Sequence, residues 1–141
     1  MKSKAPLALM EQLIMLLVFA LAAAFCLRAF LWADYRSAQN AARDQAALQA
    51  QCAAETLKHH HGCFEQAAAT LGGSWDGSCW TLGYDETWQL TNARPVYTLS
   101  VCPTESGHPH LGQARLEASD SNEISLFQLT VCWQEVSSLE P

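Results

Sequence analysis

An apolar segment near the N-terminus constrains this chain more than any other feature. No charged residue occurs from Leu13 to Leu27, and four more apolar residues, Leu7 to Met10, precede Glu11. Such a run reaches the roughly 20 residues that a helix needs to cross about 30 Å of hydrocarbon. We therefore expect a basic cytoplasmic leader over residues 1–6 and a transmembrane half-helix over residues 7–33.

Glu11 is the charged exception in this segment. A carboxylate inside a bilayer costs roughly 2.5 to 3.5 kcal/mol on insertion scales, so an intramembrane acid indicates a functional role. The alternative interpretation is that Glu11 lies at the depth of the lipid headgroups, where it needs no special explanation.

The charge distribution predicts the orientation. Lys2 and Lys4 mark the cytoplasmic side, and Arg28 and Trp32 are typical interfacial anchors at the other end. Residues 34–141 contain five basic and thirteen acidic side chains, a net charge of −8. We expect these residues to form an extracytoplasmic domain, and its acidity argues against nucleic-acid binding.

A cleavable signal peptide is the rival interpretation of the same segment. The basic start, the apolar core and the small residues Ala22 to Ala24 fit one. Glu11 is badly placed within such a hydrophobic region, and Phe25 precedes Cys26 where a lipoprotein signal has a small residue. A membrane anchor is therefore favoured.

The helical pattern continues beyond the membrane segment. No Pro occurs between Pro6 and Pro95 and no Gly precedes Gly62, and residues 34–58 are rich in good helix formers. We expect one continuous helix from about Pro6 to about His60, with its exposed half over residues 34–60. A stripe of mostly small residues is predicted to pack on the rest of the domain: Ala38, Ala41, Ala42, Leu48, Cys52 and Leu57.

A histidine triplet closes the predicted helix. His59 to His61 are followed by Gly62, a common residue after a helix end, and a short helix is expected over residues 63–71. The triplet together with Cys63 suggests a metal site, but successive helical residues point in different directions and cannot converge on one ion. We predict no metal and no cofactor.

Beyond Gly73 the period of the pattern changes to two. Four segments alternate apolar and polar residues, which predicts a small four-stranded antiparallel sheet within residues 78–135. The apolar residues of these segments begin at Trp80, Tyr97, Ala114 and Phe127. With the long helix on its apolar face, this sheet gives an α+β domain.

Five cysteines lie in the predicted outer domain, where disulfides persist. If Trp80 faces Val101 in neighbouring strands, Cys79 falls opposite Cys102 within disulfide reach. Cys102 with Cys132 is the competing pair, and Cys52 with Cys63 is a weaker second candidate. One thiol at least remains unpaired.

The sequence contains no catalytic motif that survives inspection. It has no Gly-x-Ser-x-Gly elbow, no Gly-rich phosphate loop, no His-Glu-x-x-His and no Cys-x-x-Cys. His108 and His110 flank Pro109 in a predicted turn, and Trp75 and Trp88 fall in predicted loops, where they either pack or form contacts with a partner. We predict a protein that is not an enzyme and has no evident small-molecule substrate.

The segment Leu7-Ala8-Leu9-Met10-Glu11 resembles the start of type IV pilins and pseudopilins, and the expected architecture resembles theirs along the whole chain. The resemblance implies cleavage between Pro6 and Leu7, a Glu at the fifth mature position, and pairing of Glu11 with the α-amine of a neighbouring subunit. Family leaders usually end in Gly, whereas Pro6 stands there in this chain. An atypical cut and an uncut membrane subunit both follow as possibilities.

The resemblance implies a minor pilin or pseudopilin of a type IV pilus, competence or type II secretion-like filament. Its partners would be the membrane, other pilin-like subunits and an assembly machinery, at a single-pass position in a bacterial cell membrane or in a surface filament. Two alternatives stay open: a membrane-anchored extracytoplasmic binding domain that does not polymerise, and a secreted, disulfide-bonded module.

Overall fold

A computed structural model describes residues 5–135 of the chain. The described residues divide into two compact units, with the boundary between residues 40 and 41. The elements, in order, are α1 (Ala5–His59), α2 (Phe64–Leu71), β1 (Ser74–Trp75), β2 (Trp80–Tyr84), β3 (Tyr97–Thr104), β4 (Leu111–Asp120) and β5 (Ser125–Gln134). The fold is α+β, as predicted, with one long helix and an antiparallel sheet.

Helix α1 is continuous from Ala5 to His59, which confirms the predicted unbroken helix. Pro6 occupies its first turn, where the missing N–H has no intrahelical acceptor in any case. No break occurs between Arg28 and Asp34, where the apolar composition gives way to a polar one.

The buried face of α1 in the second unit differs from the predicted stripe. Ala38, Ala41, Leu48 and Cys52 are exposed, Ala42 is half-buried, and of the predicted set Leu57 alone is buried. The buried residues are Ala46, Ala50, Ala53, Ala54 and Leu57. Their spacing follows the 3.6-residue period of a helix. Apart from Leu57, the predicted residues also share a face, but that face lies roughly 130° away around the helix axis at 100° per residue.

The end of α1 is a Schellman motif. The N–H of Gly62 donates to the carbonyl oxygen of Leu57 at 2.9 Å, and the N–H of His61 donates to that of Lys58 at 3.0 Å. His61 therefore takes the left-handed conformation, with φ 52°. The sequence pattern had indicated Gly62, one residue later, for this position. Helix α2 then begins at Phe64 with Cys63 as its N-cap, not at Cys63 as predicted.

The sheet has five strands in the order β1-β2-β3-β4-β5, all antiparallel, and not the predicted four. The additional strand β1 has only two residues, which pair with Thr81 and Trp80 of β2. Two residues are too few to produce a period-two pattern, so this strand has no sequence signature.

The register between β2 and β3 matches the prediction. Trp80 faces Val101, Leu82 faces Leu99 and Tyr84 faces Tyr97. One face of β2, β3 and β4 is buried and joins the α1 alanines in a single apolar core. No polar or charged residue is buried within the part of the chain that the structure describes.

Candidate functional site

Glu11 lies in the second turn of α1 on an exposed apolar surface. Its carboxylate shares a groove of about 490 Å³ with Leu7, Met10, Ile14 and Met15. Leu7 is 71 % exposed and Met15 70 % exposed. The cleavage position implied by the resemblance, between Pro6 and Leu7, lies within the helical residues at the start of α1.

The apolar surface extends along the first unit. One helix in the described residues is long and apolar enough to cross a membrane, with a mean hydropathy of 2.5 over its best 18-residue window and none of that window buried. A helix that is hydrophobic on all sides and unpacked suits a bilayer rather than water. This is the property that a single-pass anchor requires.

The polar end of this surface contains an aromatic and a basic side chain in contact. The guanidinium carbon of Arg36 lies 4.8 Å from the centroid of the Trp32 ring, one helical turn away. Tyr35 accepts a hydrogen bond from the Gln39 amide at 3.0 Å. The sequence predicted Trp32 as an interfacial anchor. It did not lead us to expect the contact with Arg36, although the spacing of four residues along a helix could have indicated it.

The cysteines form one bridge. Cys79 and Cys102 are bonded, with 4.4 Å between their Cα atoms, as the strand register predicted. Cys26, Cys52, Cys63 and Cys132 are free. The competing pair Cys102 with Cys132 is wrong because β4 separates β3 from β5.

The second candidate pair, Cys52 with Cys63, does not form either. Helix α1 continues to His59, seven residues beyond Cys52, and this carries the chain about 10 Å along the helix axis. Disulfides require Cα atoms less than about 7 Å apart.

The histidine triplet serves the junction of the two helices. The Nε2 atom of His60 lies 2.9 Å from the Thr70 hydroxyl of α2, and the His59 and His60 rings meet edge to face at 5.2 Å. Within residues 5–135, no group of three or more His, Cys, Asp or Glu side chains is arranged to hold a metal ion.

Three aspartates hold turns at the strand ends. Asp76 accepts hydrogen bonds from the backbone N–H groups of Cys79 and Ser78 and from the Ser78 hydroxyl, at 2.7 to 2.8 Å. These donors, that of Cys79 above all, lower the pKa of Asp76 to about 2. The pKa of Asp85 is lowered chiefly by the Thr87 hydroxyl, and that of Asp120 by the N–H of Ile124. Their role is to fix the turns.

The Tyr84 side chain belongs to the apolar core, and its hydroxyl oxygen is the one buried side-chain polar atom without a hydrogen-bond partner among the described residues. Its hydroxyl has no hydrogen bond, and burial raises the pKa of Tyr84 to about 12, with a smaller electrostatic contribution from the Cys52 side chain. Trp88 stacks on Tyr97 at 4.2 Å beside it, and Trp75 stacks on Phe64 at 4.7 Å. Both tryptophans are half-buried, so the packing interpretation of these two residues is the better one.

A cleft of about 430 Å³ lies at the end of the sheet near the β3–β4 loop. Glu105, His108, Glu135 and Trp133 are among its lining residues. Ser106 also lines it, but its hydroxyl donates to the carbonyl oxygens of His108 and Leu111 and so fixes the loop.

No protein-family model matches the chain, and neither a curated protein nor a solved structure is significantly similar to it. The pilin resemblance therefore remains an expectation drawn from the residues around Glu11.

Proposed function

We propose that this chain is a non-enzymatic, membrane-anchored subunit of a pilin-like filament, a minor pilin or pseudopilin of a pilus, competence or type II secretion-like assembly. The observation that carries the proposal is the continuity of α1. One helix contains both the unpacked apolar segment with Glu11 and the alanine face that packs in the core of the sheet domain.

Lateral packing of α1 against its counterparts is the assembly step. In the bilayer the exposed side chains of residues 7–35 contact lipid, and in a filament they contact the helices of neighbouring subunits. Apolar association between helices in lipid gains from close van der Waals packing, which small residues such as Ala20 and Ala24, four positions apart, permit.

Glu11 sets the register of that packing. Its carboxylate has an apolar surrounding in the single subunit, and a bilayer makes this unfavourable by roughly 2.5 to 3.5 kcal/mol. A cation of a neighbouring subunit, such as the α-amine of Leu7 after cleavage, removes that cost only at one relative position of the two helices. A pair of this kind is favourable when its geometry is good.

A mechanical role also agrees with the composition of the outer domain. Its core is filled by apolar side chains, Asp76, Asp85 and Asp120 hold turns, and His60 contacts Thr70 where α1 and α2 meet. We therefore propose that it has no catalytic activity and that its surface contacts other subunits.

Replacement of Glu11 tests the proposal. The variants Glu11→Ala and Glu11→Gln should lose high-molecular-weight assemblies, measured by sedimentation of material sheared from cells, while the Cys79–Cys102 bridge still forms in non-reducing gels. Glu55→Ala is the matched control, because Glu55 is an exposed acid on the same helix. Normal filaments in the Glu11 variants would refute the assigned role.

N-terminal sequencing of the native protein separates the alternatives. A start at Leu7 supports a processed filament subunit, and an intact Met1 supports an uncut membrane subunit. A start beyond Ala24 would show a secreted module and overturn the proposal. An uncut wild-type protein that forms no assemblies would favour an anchored binding domain.

A further inference from the structure

A shallow groove lies beside α1 at the polar end of its apolar segment. It has a volume of about 510 Å³ and is lined by Trp32, Ala33, Arg36, Ser37 and Asn40. The lining changes from apolar at Trp32 and Ala33 to hydrogen-bond donors one turn later. This order of apolar and polar groups matches that of a lipid at the surface of a bilayer.

Arg36 is held in place within this groove. Side chains of a helix lean towards its N-terminus, so the guanidinium of Arg36 lies back over the turn that contains Trp32. Its carbon is 4.8 Å from the centre of the indole ring. A face-on contact with the indole leaves the N–H donors at the guanidinium edge available, and a side chain that is already ordered loses less entropy on binding.

The position of Trp32 along the helix corresponds to headgroup depth. The uncharged segment between Glu11 and Arg28 has its centre near residues 19–20, and Trp32 lies about 18 Å beyond that centre along the axis. The hydrocarbon of a bilayer ends about 15 Å from its midplane and the headgroup region ends at about 20 to 22 Å. The guanidinium of Arg36, held against Trp32, therefore reaches the level of the lipid phosphates.

The charge on this side of the helix is positive. Arg28, Trp32 and Arg36 follow one another at intervals of four residues and share a face. Asp34 is rotated by about 200° from Trp32 around the helix axis and does not line the groove. The residues that line the groove thus include one guanidinium group, that of Arg36, and no carboxylate.

We propose that this groove binds the phosphate of an anionic phospholipid, with Arg36 donating to the phosphate oxygens and Trp32 and Ala33 contacting the upper acyl chain. Ser37 and Asn40 supply neutral donors beside it. The inference rests on the membrane anchoring in the proposed function. A zwitterionic lipid is the weaker ligand because its own ammonium group already neutralises the phosphate.

Selective quenching of Trp32 tests the inference. The full-length protein is reconstituted into vesicles of equal parts phosphatidylglycerol and phosphatidylcholine, with brominated acyl chains on one lipid or the other. Subtracting the signal of a Trp32→Phe variant removes the emission of the remaining tryptophans. We expect phosphatidylglycerol to occupy the site beside Trp32 about fivefold more often than phosphatidylcholine does, as measured by the quenching of Trp32 by each brominated lipid. A factor of about five corresponds to the free energy that one basic residue contributes at an anionic membrane surface.

Three variants at two arginine positions sharpen the test. Arg36→Gln should reduce the preference below twofold, and Arg36→Lys should retain part of it, because an ammonium keeps the charge but not the planar fork. Arg43→Gln is the control, since Arg43 lies about 10 Å farther along the helix, beyond the screening length of physiological salt, and should change nothing.

The possible failures are distinguishable. Equal quenching by both lipids, or an unchanged preference in Arg36→Gln, overturns the lipid site and leaves the filament proposal intact. No quenching of Trp32 by either lipid overturns the site together with the membrane anchoring on which it rests.

Discussion

The Trp133 ring packs against two glycines from different elements, and this contact permits a quantitative prediction. A Cβ atom built at Gly62, beyond the end of α1, overlaps Nε1 and Cε2 of the Trp133 ring. A Cβ atom at Gly112, directly opposite Trp133 across β4 and β5, overlaps the same two atoms. The two positions differ in backbone conformation, because Gly62 has φ +82° and Gly112 has no positive φ.

Alanine at the two positions should therefore differ in effect. Gly112→Ala introduces overpacking of about 1 to 3 kcal/mol, reduced by the roughly 0.5 to 1 kcal/mol by which Ala is preferred over Gly in a strand. We expect a net loss of about 0.5 to 2 kcal/mol. Gly62→Ala has the same overpacking cost of about 1 to 3 kcal/mol. It also places a non-glycine residue in the left-handed region, which costs about 1 to 2 kcal/mol more, so we expect a net loss of about 2 to 5 kcal/mol in the free energy of unfolding.

The decisive measurement is the same pair of substitutions in a Trp133→Val background. Without the indole, Gly112→Ala should become neutral or stabilising by up to about 1 kcal/mol, whereas Gly62→Ala should still destabilise by about 1 to 2 kcal/mol. The assay is urea unfolding of the full chain in non-ionic micelles, followed by circular dichroism, as a double-mutant cycle. An equal loss for Gly112→Ala in both backgrounds would refute the steric explanation.

Two further predictions concern the sheet domain. The Cys79–Cys102 bridge joins residues 23 apart, and its removal should destabilise the domain by about 3 to 3.5 kcal/mol in the chain-entropy model. The measurement is urea unfolding of a Cys79→Ser, Cys102→Ser variant, with Cys132→Ser as the control. A double variant as stable as the wild type would contradict the prediction. The pKa of Asp76 is lowered from 3.8 to about 2, so its contribution to stability is complete above pH 4 and is lost as the pH falls towards 2. Asp76→Asn should flatten the dependence of the melting temperature on pH in that interval, and an unchanged slope would exclude Asp76 as its source.

Local patterns account for the features that were predicted correctly. The alternation of apolar residues in β2 and β3 specifies which residues are buried, and a shift by one residue would move every side chain to the wrong face. The pairing of Trp80 with Val101 follows from this alternation, and with it the Cys79–Cys102 bridge. The absence of Pro and Gly from residue 7 to the end of α1 likewise predicted its continuity.

The features that were missed depend on contacts between distant residues. Strand β1 exists because Ser74 and Trp75 meet the edge of β2, not because two residues favour an extended conformation. Arg36 over Trp32 and the glycines beside Trp133 concern side-chain packing, which one-dimensional patterns do not record. Cys52 and Cys63 are close in sequence, but the helix between them keeps them apart.

The sequence by itself determined the long helix with Glu11 in its apolar first part, the α+β class and the register that aligns two cysteines. These properties can be inferred from periodicity and composition, because each of them depends on residues that are close in sequence and on the transfer of apolar side chains out of water. Only the tertiary structure decided which side of α1 is buried. Ala is common around the whole helix, so its composition does not mark a face, and contact with the sheet selects Ala46, Ala50, Ala53 and Ala54.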